Sequence, residues 1–89
     1  MIPEILKRDN IGLKILSFIN NHQKNWNYAQ RIRTQQKIDS IKSVNRYLER
    51  FKDLRLINKY EKQGRTVLYS ITKKGKEILN NLIKLKRLL

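Results

Sequence analysis

The chain has 89 residues, of which 39% are hydrophobic, enough for one small globular domain (1–89) and too many for wholesale disorder. No cysteine is present, which excludes disulfides, zinc knuckles and thiol chemistry. Lys and Arg number 21 against 7 Asp and Glu, a formal net charge of +14; such an excess repels its own kind and attracts polyanions, nucleic acid first and an anionic membrane surface second.

The opening "MIPEILKRDN" lacks the apolar run of a secretion signal. No later segment approaches the roughly 20 apolar residues of a membrane span. A cytoplasmic protein, nucleoid-associated or in a host cytoplasm, is expected, with no membrane partner. Asp9 and Asn10 are good N-cap residues. Ile11, Ile15, Phe18 and Ile19 then share one helical face, while Leu13 and Leu16 fall on a different side. This predicts a first helix from about residue 4 or 10 to Asn20, closed by the polar turn-formers "NNHQKN".

Trp26 to Tyr28 reads as a short strand or extended entry. Asn27 then caps a second helix, about Tyr28 to Lys37, that buries Ala29 and Ile32. Asp39 or Ser40 caps a third helix, which runs to about Leu54. Ile41, Val44, Leu48 and Phe51 form its apolar stripe, and Lys42, Ser43, Arg46, Glu49, Arg50 and Asp53 lie on the other side. In "LINKYEKQGRTVLYSIT", Leu56 to Lys62 and Thr66 to Ile71 are strand-like, with Gln63 and Gly64 where a hairpin turn needs tolerance of positive φ. Thr72 is the expected N-cap of a last helix, about 73–89, in which Ile78, Leu82, Leu85 and Leu89 recur at helical spacing. Gly75, in its first turn, leaves room for another element to pack close. The order is helix, helix, helix, hairpin, helix: a mainly α chain with a small β-hairpin, of class α+β.

That order, with "SVNRYLERFKDLRLI", "EKQGRTVLYSIT" and "YSITKKGKEIL", resembles the winged helix-turn-helix superfamily. The likeness is to small prokaryotic and archaeal DNA-binding proteins of the MarR, ArsR and PadR type, and to short archaeal winged-helix chromatin proteins. One departure concerns the residue after the third helix, where that superfamily usually has a left-handed Gly; here it is Arg55. The resemblance implies a third helix in the major groove and a hairpin at the adjacent minor groove of double-stranded DNA.

Several residues suit that role. In the third helix, Lys42, Ser43 and Arg46, flanked by Asn45, occupy the end that enters the groove; Arg reads guanine and Asn reads adenine. Ser40 and Arg50 extend the set. Before that helix, Arg31, Arg33, Gln35, Gln36 and Lys37 are candidates for phosphate contact. In the hairpin, Lys62, Gln63 and Arg65 reach the minor groove as the resemblance implies. The solvated-face reading of these charges stays open.

The last helix carries more apolar surface than the stripe of about 100° that a monomer's surface helix needs. Leu79, Leu82, Ile83, Leu85 and Leu89, with Leu13 and Leu16 of the first helix, are therefore expected at a two-fold dimer interface. A basic amphipathic helix lying on a membrane is the competing reading of that segment. Catalysis has little support: His22 is the one histidine, and no paired carboxylates, Gly-rich phosphate loop or Ser-x-x-Lys set is visible. No cofactor or metal is implied. The function expected is a dimeric DNA-binding regulator or architectural protein. The alternative is a winged-helix module that binds protein or RNA.

Overall fold

The computed structural model describes Leu6 and residues 10–22, 28–62 and 66–88; for 62, 66 and 86–88 it describes the backbone alone. Helix α1 spans Ile11–Asn21 and buries Gly12, Ile15, Leu16, Phe18 and Ile19. Those residues cover more than one face because α1 is the central helix, packed against α3, α4 and strand β2. Leu16, expected on an outward side, is therefore fully buried. At the far end of α1 the His22 imidazole stacks on Phe18, ring centres 3.9 Å apart, and its Nδ1 lies 2.8 Å from the Phe18 carbonyl oxygen. This lone histidine is thus a helix-end residue, as its place in a polar turn suggests.

Tyr28, extended at φ −118°, leads into α2, Ala29–Gln35, which buries Ile32. Helix α2 stops two residues short of the predicted end because Lys37 adopts φ 54°. The Lys37 and Ile38 amides donate back to the Thr34 and Arg33 carbonyls at 3.3 and 3.0 Å. This is the closed helix end in which a left-handed residue satisfies the last carbonyls, and the apolar residue that follows, Ile38, is buried. The Arg33 guanidinium lies within 3.5 Å of the Ile38 carbonyl and so braces the same turn.

Helix α3 spans Ile41–Asp53. The Ser40 side chain is its cap, with Oγ accepting from the Lys42 and Ser43 amides at 3.1 and 3.4 Å. Val44, Leu48 and Phe51 are completely buried, but Ile41, placed on the same stripe by periodicity, is 38% exposed. The helix ends as α2 does. Arg55 takes φ 62°, and the amides of Arg55 and Leu56 donate to the Lys52 and Phe51 carbonyls, both at 2.9 Å. Arg55 accepts the conformation usually given to Gly, so the helix ends where a glycine would have ended it.

Strands β1, Ile57–Lys62, and β2, Thr66–Ile71, pair antiparallel from Ile57 opposite Ile71 to Lys62 opposite Thr66. Ile57 and Tyr69 face inward and are buried. Helix α4, Lys73–Leu88, starts directly after β2. Thr72 makes the junction. Its amide donates to the Leu56 carbonyl at 3.0 Å, its hydroxyl donates to the Arg55 carbonyl at 2.7 Å, and the same oxygen accepts from the Gly75 amide at 3.0 Å. A Cβ on Gly75 would collide with the Leu56 carbonyl oxygen and lie 2.8 Å from Ile71 Cγ1. The close packing anticipated at Gly75 is therefore that of the first helical turn of α4 on the end of the α3–β1 connection. One core, built on Ile15, Leu16, Ile19, Ile32, Leu48, Phe51, Leu56 and Leu79, joins the helices to the hairpin.

Candidate nucleic-acid interface

The face of α3 opposite the core presents Lys42, Asn45, Arg46 and Arg50, all exposed. No acidic residue occupies its first turn. The positive end of the helix dipole is thus left uncompensated within the helix, beside Lys42. Asp39 stands just ahead of the cap and lies along the same edge.

The expected site residues divide into three groups. Gln36, Lys37, Ser40 and Ser43 come together around a shallow depression of about 170 Å³ between α1 and the turn that joins α2 to α3. Of these, Lys37 is exposed, Gln36 and Ser43 are half-buried, and the Ser40 oxygen is engaged in capping. Arg46 and Arg50 lie further along α3, while Gln35 is exposed and Arg31 half-buried on α2. Gln63, Gly64, Arg65 and the side chain of Lys62 lie outside the described residues, as do Asp9, Trp26, Asn27 and Leu89.

Two basic residues that sequence reasoning missed adjoin these groups. Lys14 of α1 lines the depression beside Gln36 and Lys37. Lys59 of β1 lies beside α3, with its Nζ 3.2 Å from Glu49 Oε1. Packing brings Lys14 there from a distant part of the sequence, whereas Lys59 stands on the strand that directly follows α3 and folds back along it.

Glu49 lies on the same exposed side of α3. It pairs with Lys52 at 3.3 Å on its own helix and with Lys59 across the hairpin. The Lys59 ammonium first, then Lys52, holds the Glu49 carboxyl below its ordinary range. The only other acid on α3, Asp53, is exposed at its C-terminal end. Between α3, the start of α2 and the hairpin lies an open cleft of about 660 Å³, lined by Tyr28, Asn45, Glu49, Lys59 and Tyr69 among others. Burial raises the Tyr69 phenol there, and the nearby Glu49 charge adds to the shift.

The expected dimer residues also divide. Leu16, Leu79 and Leu82 are at most 6% exposed and belong to the protomer's own core. They offer no surface to a second copy. The cause is that α4 packs against the central α1, which claims those positions. Ile83 and Leu85 are exposed at 36% and 49%, and Leu13 is half-buried against the core. The same burial argues against α4 as a membrane-lying helix, whose apolar side needs Leu79 and Leu82 free. No helix among the described residues is long and apolar enough to cross a membrane.

No family model matches the chain, and no curated protein matches it in sequence. Solved structures do. A mutant of MepR from S. aureus bound to an oligodeoxyribonucleotide superposes with a TM-score of 0.79 at 17% identity, over 94% of this chain and 62% of that one. This chain thus spans less than two thirds of MepR. A possible HxlR family transcriptional factor from Thermoplasma volcanium matches with a TM-score of 0.75 at 23% identity, over 94% and 73%. AF1382 from Archaeoglobus fulgidus matches with a TM-score of 0.72 at 24% identity, over 94% and 92%. The chain has the winged helix-turn-helix fold, which it shares with MepR, solved on an oligodeoxyribonucleotide, and with a possible HxlR family transcriptional factor.

Proposed function

We propose that this protein binds double-stranded DNA as a homodimer, with α3 in the major groove and the β1–β2 wing at the adjacent minor groove. The observation that carries the reading is the exposed Lys42, Asn45, Arg46 and Arg50 set on α3, on a fold shared with a regulator solved on an oligodeoxyribonucleotide. Arg46 and Asn45 are the side chains suited to base edges; Lys37, Lys14 and Arg50 need only reach phosphates. Residues 28–55 carry a net charge of +5, which supports a polyanion as the partner. The winged-helix resemblance assigns duplex contact also to Arg31, Gln35 and Gln36 ahead of α3 and to Lys62, Gln63 and Arg65 of the wing.

For the dimer, Ile83 and Leu85 are the exposed large apolar residues of α4 among the described residues, with Leu13 at the edge. A two-fold pair presents two copies of α3 to half-sites about 34 Å apart. The competing reading, a winged-helix module for protein partners, needs apolar surface along α3. Of the apolar residues there, Ile41 alone is exposed, Tyr47 is half-buried, and Val44, Leu48 and Phe51 are buried.

The test is fluorescence anisotropy with a random duplex of about 25 base pairs, titrated at several salt concentrations against unlabelled competitor. Affinity is expected to fall steeply with salt, the slope growing by about 0.9 for each phosphate neutralised. Absence of binding at low salt overturns the reading and transfers it to the protein-binding module.

A further inference from the structure

We propose that Ile41 is a specificity residue that reads the 5-methyl group of a thymine at one position of each half-site. The inference rests on α3 entering the major groove, and it adds a residue that helical periodicity assigns to the core. Val44, Leu48 and Phe51 of that stripe are fully buried, whereas Ile41 is 38% exposed. A lone exposed aliphatic residue is ordinary on a protein surface and by itself asks for no explanation. Its position is what distinguishes Ile41. It is the first residue of α3, directly after the Ser40 cap, at the helix end that meets base edges in helix-turn-helix docking.

Its exposed neighbours are polar or basic: Lys42 beside it, and Asn45 one turn on along the same edge. The Ser40 oxygen accepts the Lys42 and Ser43 amides at 3.1 and 3.4 Å and so fixes the backbone that carries Ile41. The side chain is β-branched and stiff at χ1, so presenting it to a partner orders little that is not already ordered. In the major groove, thymine alone among the four bases offers an apolar group, its 5-methyl, and aliphatic contact is the interaction that reads it. Asn45 beside Ile41 has the amide geometry for an adjacent adenine. The pair therefore favours an A·T-containing step, with Ile41 deciding thymine against cytosine.

The experiment has two stages on the full chain. Selection from a random duplex pool first yields the preferred site. Each thymine of that site is then replaced in turn by deoxyuridine, which removes only the methyl group, and affinities are measured for the wild type, Ile41→Ser and Ile41→Val. One substitution per half-site is expected to weaken wild-type binding about fourfold, the effect of one buried methyl. Ile41→Ser loses that sensitivity while keeping its affinity for random duplex, and Ile41→Val retains sensitivity.

Three results overturn the proposal while leaving DNA binding intact: no site is enriched, no thymine is sensitive in the wild type, or Ile41→Ser keeps the wild-type pattern. The wild-type scan stands without any variant, so misfolding of Ile41→Ser, read by circular dichroism, does not shield the idea. Failure to bind any duplex is a different outcome and removes the underlying reading as well.

Discussion

Arg55 shows how a single residue can depart from its fold's usual pattern without changing the path of the chain. A left-handed conformation costs a residue with a Cβ about 1 kcal/mol, and glycine far less. Arg55 nevertheless sits at φ 62°, because the closed helix end satisfies the Phe51 and Lys52 carbonyls and buries Leu56 completely. The side chain itself is exposed and contributes charge rather than packing. Arg55→Gly is therefore expected to raise stability by about 0.5–1 kcal/mol in urea unfolding, a gain of several degrees in Tm for a domain of this size. Arg55→Ala keeps the strain and loses the charge, so it separates the two effects. A Gly variant no more stable than the Ala variant would show that the backbone carries no strain at this position.

At the scale of elements, the junctions were legible where their signals are local. The alternation of β2 ends at Ile71, a capping residue follows, and helical spacing resumes; Thr72 and Gly75 accordingly fall where expected. The Ser40 cap is local in the same way. What the sequence left open depends on which element lies at the centre. Leu16, Leu79 and Leu82 read as surplus because periodicity gives a face but not the neighbour that covers it, and α1 proved to be covered on several sides. Ile41 errs in the opposite sense: it continues a buried stripe at the exposed start of its helix. Lys14 enters the picture only through long-range packing, and Lys59 through the return of β1 along α3.

Two outcomes follow at this scale. Gly75→Ala drives a methyl group into the Leu56 carbonyl, which the Thr72 amide holds in place, so a cost of about 2–3 kcal/mol is expected in chemical denaturation; a neutral change would mean that the junction can open. The bridge from Glu49 to Lys59 ties α3 to the wing, and the Glu49 pKa is lowered in the folded state. A lowered folded pKa gives stability that is present above the unfolded value of about 4.3 and lost as pH falls through the folded one. The stability difference between wild type and Glu49→Gln is thus expected near neutral pH and shrinks as the solution is acidified below about pH 4.3. It is small, since the pair is exposed. A difference independent of pH would assign the effect to packing instead.

For the whole molecule, charge and assembly pull against each other. A protomer at +14 repels a second copy, and the dimer doubles the charge, so an interface between copies must supply apolar contact that outweighs the repulsion. Salt screens that repulsion, whereas it weakens binding to phosphates, so dimerisation and DNA binding are expected to respond to ionic strength in opposite directions. Among the described residues of α4, the exposed large apolar groups are Ile83 and Leu85. Leu85→Glu places a charge on an exposed position, where it leaves the fold's stability within about 0.5 kcal/mol but opposes any apolar contact there. Multi-angle light scattering at moderate salt is expected to give twice the protomer mass for the wild type and the protomer mass for Leu85→Glu, with unchanged circular dichroism. Leu82→Glu is the contrasting variant: at 6% exposure it buries a carboxylate in the protomer's core and lowers Tm whatever the oligomeric state. A wild type of protomer mass at every salt concentration removes the dimer, and a Leu85→Glu variant that stays dimeric moves the interface away from Leu85.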